Sequence, residues 1–497
     1  MTEANRPVRT RYAPSPTGPQ HIGGLRSALF SWLLARHHQG QFILRIEDTD
    51  QKRFVEGSLE MIMDALKWLG LNWDEGPDIG GPYGPYIQSE RVELHQKWAH
   101  WLVDNGKAYH CFCTEERLKE VNDEKIANKQ PPGYDRHCRN LSAEEVAQKL
   151  EAGIPSVIRF KIPLEGKTIG QDLIRGDVEF DNSTLQDIVI LKSDGFPTYH
   201  LAHVVDDHFM EISHVTRANE WLPSLPVHLQ LWYAFGWEIP YYAHLPVLLN
   251  PNGKGKLSKR HAAFDESGQK VLVLAQEYVD AGYEAEAVVN FLTNIGWNYG
   301  DEVEIFSSEE AIQRFDISAV NPSNSAFPIE KLDWMNGVYI RNMDLAELEA
   351  KLQAVFEKAG YETDPDKLKL LTPVVQTRLK LVNDVIELAG FVFEDYAAFK
   401  GASAELLIPK KMDAETCKAM LERCLTELEG FEPFEHQALY EHMKEIAKEI
   451  GVKNGQIFGA LRVALTGQEI STPTFETMEI LGKAETLRRI KMAINVL

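Results

Sequence analysis

The chain is 497 residues long, 44% hydrophobic and 25% charged, with a net charge of −22 at neutral pH. That length exceeds what one hydrophobic core supports, so several domains are expected, and the composition is that of ordinary globular proteins. No run of about 18 apolar residues is present to span a membrane, and the acidic balance argues against indiscriminate binding to nucleic acid, although local basic patches can still position one RNA.

Residues 8–13 read as a strand, broken by Pro14-Ser15-Pro16-Thr17-Gly18-Pro19. Leu25, Leu29, Phe30, Leu33 and Leu34 then recur at helical spacing as far as Gly40. Residues 42–46 form a second strand ending in Glu47-Asp48-Thr49-Asp50, and Ile62, Leu66 and Leu69 mark a further helix capped by Gly70. Strand and helix alternating at this spacing predict a parallel, Rossmann-like α/β sheet. Residues 76–86, rich in Gly and Pro, look like an exposed connection. Residues 89–196 carry a helix, a cysteine cluster and short strands, and read as an α+β domain inserted into the sheet. Alternation returns over 187–249, with a strand at 211–216 ended by Arg217. Beyond residue 271 the pattern is almost all helical, as at 345–359, 379–388 and 481–496. The N-terminus leads into no apolar signal segment, so a cytoplasmic location is expected.

The most informative segment runs from Pro14 to His21-Ile22-Gly23-Gly24. It follows the first strand and opens the first helix, at the carboxyl edge where parallel sheets bind ligands. Glycines there let a nucleotide approach the backbone, and a helix N-terminus favours negative charge. A histidine at the turn can donate to a phosphate oxygen as charge builds up. The bland alternative is a Pro/Gly turn with a surface histidine. A second glycine-rich loop, Asn252-Gly-Lys-Gly-Lys256-Leu-Ser-Lys259-Arg260, holds cations that could fold over a triphosphate, the alternative being a solvated basic turn. No Walker P-loop is present in the sequence.

In this order the two elements resemble the HIGH and KMSKS signatures of class I aminoacyl-tRNA synthetases. Arg11-Tyr-Ala-Pro-Ser15-Pro-Thr-Gly, Arg45-Ile-Glu47-Asp48-Thr-Asp50, Tyr199-His-Leu-Ala-His203-Val-Val-Asp-Asp207, Leu332-Asp-Trp-Met-Asn-Gly337 and Gly455-Gln-Ile-Phe-Gly-Ala-Leu-Arg462 resemble the bacterial-type glutamyl-tRNA synthetase family. The resemblance spans the chain and implies ATP, Mg²⁺, glutamate and tRNA-Glu as partners, with tRNA-Gln left open, a monomer, and glutamate activation that waits for bound tRNA. It implies His21, Lys256 and Lys259 as catalytic residues. Pro14, Gly18, His21, Gly23, Gly24 and Lys259 would hold ATP. Arg11, Ser15, Glu47, Tyr199, His203 and Arg217 would line the glutamate pocket. The physical case agrees, since a side-chain carboxylate needs a fixed cation and arginine offers a bidentate fork. Glu47 is placed to accept from the α-amino group. Two departures from the general pattern are Gly24 in place of a second histidine, and Leu257 with Arg260 in the second signature.

The implied domains are 1–88 and 199–253 for the two halves of the catalytic sheet, and 89–198 for an acceptor-binding insert. Then come 254–336 for the lysine loop and a connecting helical domain, and 337–400 and 401–497 for two helical anticodon-binding domains. Arg378, Lys453 and Arg462 are the candidate RNA contacts, against the alternative of a solvated helix face. Of the five cysteines, Cys111, Cys113 and Cys138 suggest a structural Zn²⁺ site, while Cys417 and Cys424 lie apart. Tyr134, four residues before Cys138, is one fourth ligand, and His110 and His137 are its rivals. Three reduced thiols in a small core are the other reading. For the whole chain, the competing functions are a catalytically silent tRNA-binding paralogue, or a glutaminyl- or glutamyl-Q-type enzyme on the same core.

Overall fold

The structure, a computed structural model, describes residues 6–258, 264, 268, 270–394 and 401–497. It divides into two compact units, residues 1–278 with 288–329, and residues 279–287 with 330–497. None of its helices, among the described residues, is long and apolar enough to cross a membrane.

In the first unit the strand Arg9–Tyr12 is buried along its whole length and pairs in parallel with Gln41–Leu44, Arg11 opposite Ile43. A parallel pair needs a crossover, and the helix Ile22–His37 supplies it. Ile22, Leu25, Leu29, Phe30, Leu33 and Leu34 are all buried on that helix, which is therefore apolar around most of its girth. On the other side of Arg9–Tyr12, Ser213 N donates to Arg9 O at 2.9 Å and brings in the strand His214–Ala218. That strand runs parallel to Tyr241–Leu245. Asp172 opposite Tyr242 then joins Lys167–Asp172 in parallel, and Gly176–Asp181 closes the edge antiparallel. The α/β sheet expected from the sequence is present, and it draws two strands from the segment that interrupts it. The rest of that segment forms a separate antiparallel sheet of Ala108–Cys111, Val157–Phe160 and Val189–Leu191. Leu102, Phe160, Ile190, Leu201, Val205, Leu231 and Trp232 form a core between this sheet and the helices Val92–Asp104, Tyr199–Phe209 and Leu225–Phe235.

Two expected elements are displaced. Arg217 lies within its strand, not at the end of one over 211–216, because the preceding helix continues to Phe209 and Glu211, at φ 53°, only then turns the chain. Residues 379–388 are not one helix: a short 3-10 turn, Val382–Asp384, precedes the helix Val385–Ala389, and Asp384 caps Leu381 N at 2.8 Å.

The second unit is helical, as expected. Ala414–Glu429, His436–Ile450, Asn454–Thr466 and Lys483–Val496 close on Leu421, Leu428, Leu439, Met443, Leu461, Leu465 and Ile490. Cys417 and Cys424 belong to this core, and burial pushes the Cys424 thiol up to about 12, so they pack as small apolar groups.

Candidate active site

A cleft of about 1310 Å³ opens along the carboxyl edge of the sheet. Arg11, Ser15, His21, Gly23, Gly24, Glu47, Tyr199, Arg217 and Lys256 all line it, although they come from separate strands, turns and helices. Pro14 and Gly18 are buried beneath the turn, where Pro14 O accepts from Glu47 N at 3.0 Å and Gly18 N donates to Ser58 Oγ at 3.1 Å. Lys259 lies outside the described residues, as does Arg260.

His21 is the N-cap of Ile22–His37, and its Nδ1 accepts from Gly23 N at 2.9 Å. An accepting Nδ1 puts the ring proton on Nε2, the tautomer that donates. The turn is pinned from outside as well. Ile22 N donates to Val273 O at 2.9 Å and Ala275 N to Gln20 O at 3.0 Å, so the chain returning from the lysine loop pairs with the histidine turn. Gly24 has a local reason. A Cβ there would stand 3.0 Å from Tyr12 Oη, which is itself tied to Gln20 Oε1 at 2.7 Å. The second signature is a tight hairpin. Leu257 N donates to Leu248 O at 2.9 Å and Asn250 N to Gly255 O at 3.0 Å, with Gly253 and Gly255 at φ 71° and 74°. Lys256 leaves this hairpin to pair with Glu220.

Two arginines lie at the inner end of the cleft in different company. Arg11 has a partner at each nitrogen: Nε bonds Asp207 Oδ1 at 3.2 Å, Nη1 bonds Thr216 O at 3.3 Å and Nη2 reaches His203 Nδ1 at 3.2 Å. Arg45 shares Asp207 Oδ1 at 2.6 Å and bonds Glu47 Oε1 at 3.0 Å. Arg217 bonds only neutral acceptors among the described residues, and its Nη2 is buried with no hydrogen-bond partner there. A buried guanidinium nitrogen without an acceptor is costly unless a ligand supplies one.

Burial pushes the Glu47 carboxyl up, against the pull of Arg45 and Arg11. Burial, reinforced by Arg11 and Arg217, holds His203 well below the usual histidine range. His203 itself does not reach the cleft: it is fully buried, stacked on Tyr199 at 5.4 Å between centroids. Several residues that the motifs did not single out complete the site. Asp207 gathers the cations, Glu220 holds Lys256, and Trp221 lines the mouth with its ring 4.5 Å from that of Tyr199. Asp207 ends one quoted string and could have been found there, since the helical repeat places it one turn after His203. Glu220 and Trp221 had no signal beyond their closeness to Arg217.

Away from the cleft, the sulfurs of Cys111, Cys113 and Cys138 lie within 4.8 Å of one another. Tyr134 Oη is 3.3 Å from Cys111 Sγ and 3.8 Å from Cys113 Sγ, whereas His110 Nδ1 is taken up by Ser156 Oγ at 3.1 Å. Arg117 donates to Cys113 Sγ at 3.4 Å and the Arg159 guanidinium sits 3.9 Å above the Tyr134 ring. Soft sulfur donors and a phenol oxygen fit a thiophilic divalent ion, and the neighbouring arginines favour the thiolate form that would bind it. In the second unit Arg378 and Lys453 are exposed, at the ends of the helices Pro365–Gln376 and Asn454–Thr466, and Arg462 is half-buried on the latter.

Residues 7–334 match the family model described as tRNA synthetases class I (E and Q), catalytic domain, and residues 344–494 match that of an anticodon binding domain. The chain is 49% identical over 492 residues to the glutamate–tRNA ligase of Dehalococcoides mccartyi strain CBDB1, covering 98% of this chain and 97% of the relative. It is 42% identical to that of Borreliella burgdorferi, covering 98% of each. A crystal structure of a glutamate tRNA ligase from Elizabethkingia meningosepticum in complex with its amino acid superposes with a TM-score of 0.87 at 35% identity, over 99% of both chains. The chain belongs to the class I tRNA synthetases for glutamate and glutamine, and within them to the glutamate–tRNA ligase family. It is an aminoacyl-tRNA ligase that uses ATP, and its partners are glutamate and tRNA.

Proposed function

We propose that the cleft condenses glutamate with ATP, taken as its Mg²⁺ complex, and that the chain then charges tRNA-Glu. The glutamate α-carboxylate attacks the α-phosphorus, forming the acyl–phosphate bond as pyrophosphate leaves. A ribose hydroxyl of the terminal adenosine next attacks the acyl carbon, its proton is lost, and AMP departs. The observation that carries this reading is Arg217 Nη2, a buried cationic donor without a hydrogen-bond partner among the described residues, at the inner wall of the cleft.

Arg217 and Tyr199 receive the side-chain carboxylate and Glu47 the α-ammonium. A carboxyl held up by burial gains most when an ammonium arrives to pair with its charged form. Ser15 meets the substrate from the turn and Arg11 from the cleft wall, and His203 fixes the pocket from behind. The backbone of Pro14, Gly18, Gly23 and Gly24 shapes the nucleotide cradle. His21 Nε2 donates to the phosphate oxygens, and Lys256 and Lys259 neutralise the leaving pyrophosphate. Lys256 must first leave Glu220, which is cheap for a half-exposed pair.

Cys111, Cys113, Cys138 and Tyr134 hold a structural Zn²⁺ that fixes the insert and takes no part in the reaction. Arg378, Lys453 and Arg462 contact the RNA. We propose the domain division given above, a monomer and a cytoplasmic location. ATP–pyrophosphate exchange with glutamate and with glutamine, each with and without tRNA, tests the reading. Glutamate-dependent exchange that requires tRNA is expected; exchange with glutamine alone would overturn it.

A further inference from the structure

We infer that His244 and Asp172 are positioning residues for glutamate: Asp172 locks the His244 tautomer that accepts from Arg217, so the guanidinium is aimed by uncharged acceptors and its charge is left for the substrate carboxylate. The inference rests on the reading of the cleft as a glutamate site.

The argument starts from what an arginine can do. Its guanidinium has five N–H donors and no acceptor, so any nitrogen facing it must present a lone pair. Arg217 Nε bonds His244 Nε2 at 3.0 Å, and Nη1 bonds His228 Nδ1 at 3.0 Å and Tyr199 Oη at 3.1 Å. His244 Nε2 is therefore bare and its proton is on Nδ1. That nitrogen lies 2.6 Å from Asp172 Oδ2, a carboxylate oxygen that can only accept. Both contacts demand the same tautomer. On the other edge the logic repeats. His228 Nδ1 is bare, its proton is on Nε2, and Nε2 donates to His200 Nδ1 at 3.0 Å. Burial, with Arg217 adding to it and Asp172 opposing it at His244, holds both His228 and His244 below the usual histidine value, in keeping with the bare nitrogens that the arginine contacts require.

The contrast with Arg11 and Arg45 gives the arrangement its meaning. Those two share Asp207, and Arg45 also pairs with Glu47. Among the described residues no carboxylate lies within ion-pair distance of Arg217. A carboxylate in direct contact would orient the guanidinium equally well, but it would neutralise the charge and repel an anionic ligand. Asp172 is set back by one imidazole ring. It is buried and fully engaged: Oδ1 accepts from Ile174 N and Arg175 N, both at 3.0 Å, and Oδ2 also accepts from His244 N at 3.0 Å. The acid thus holds a rigid ring, the ring aims the fork, and among the described residues Nη2 is the nitrogen with no hydrogen-bond partner. This explains why the interrupting segment returns its strand Lys167–Asp172 to the catalytic sheet. It delivers Asp172 beside Tyr242 and His244.

The test separates the two ring nitrogens. A glutamine side chain reaches the place of Nε2 and can accept there, whereas asparagine reaches only the place of Nδ1. In tRNA-dependent ATP–pyrophosphate exchange, His244→Asn is expected to raise the glutamate KM about ten-fold or more while the ATP and tRNA KM values hold, and His244→Gln to bring it back within about three-fold of wild type. Asp172→Asn is expected to follow His244→Asn. Its oxygen is claimed by the two backbone donors at Oδ1, so its NH₂ faces Nδ1 and favours the opposite tautomer. Independently of activity, ¹⁵N-histidine spectra of the wild-type chain should show His244 protonated at Nδ1. Equal glutamate KM values for the asparagine and glutamine variants, or a His244 protonated at Nε2, would overturn the inference while leaving the glutamate reading intact. A wild-type chain with no glutamate-dependent exchange would remove that reading, and this inference with it.

Discussion

Arg11 and Asp207 meet at the inner wall of the cleft, Nε to Oδ1 at 3.2 Å, and the same oxygen takes Arg45 at 2.6 Å. Asp207 is fully buried, so it compensates two guanidinium charges that have almost no access to water. Taking one partner from such a group leaves a buried charge uncompensated, and the cost is about 3–5 kcal/mol. Asp207→Asn is therefore expected to lose that much stability in urea unfolding. A variant as stable as wild type would show that Arg11 and Arg45 are balanced by other groups.

Arg217 is the opposite case, a cation that no carboxylate among the described residues holds, so its removal should strike the substrate more than the fold. Arg217→Lys replaces a planar fork with a point charge that cannot bond His244, His228 and a ligand together. We expect kcat/KM for glutamate to fall about 100-fold, about 2.7 kcal/mol, with a stability loss in urea of about 1–3 kcal/mol from the ring nitrogen left without a donor. Unchanged kinetics would remove Arg217 from the substrate pocket.

The sulfur cluster yields to metal analysis. On the proposed zinc site the purified chain should carry one zinc, and Tyr134→Phe, which would remove the proposed fourth donor, should weaken its retention against a chelator about 10- to 100-fold. If the cluster is instead a small thiol core, metal content is nil and Tyr134→Phe costs only its hydrogen bonds, among them that from Cys138 N at 2.9 Å.

The sequence makes much of this plain, and the limit of what it shows is physical. Strand Arg9–Tyr12, helix Ile22–His37 and strand Gln41–Leu44 are legible because periodicity and a Pro/Gly turn are local properties. The residues gathered in the cleft stand next to such turns and strand ends. Asp172 and His244 are illegible for the converse reason. Asp172 belongs to a segment that reads as a separate insert, and its meeting with His244 depends on a parallel pairing between strands far apart in the chain. The burial of His203 escapes for a related reason: its string predicts a helix, but the cluster of Arg11, Asp207 and Tyr199 around it forms only in the tertiary fold.

The buried histidines also fix how stability responds to acid. Burial, with Arg217, lowers His200 from 6.5 to about 4, and burial, with His38 and Arg6, lowers His214 to about 4. A histidine whose folded value is depressed takes up its proton first in the unfolded chain. Its contribution is therefore complete above pH 6.5, is lost as the pH falls from 6.5 towards 4, and changes no further below that. At about 1.4 kcal/mol per unit, each ring removes up to about 3 kcal/mol by the acid end of this window. Glu47, raised by burial, binds its proton more readily in the folded chain and offsets part of the loss. Urea midpoints measured at constant ionic strength should fall steadily below about pH 6.5. His214→Gln should flatten that decline, since an amide in place of the ring has no proton to gain. A wild-type midpoint that holds level down to about pH 5 would mean that these rings are protonated as easily in the folded chain as in the unfolded one.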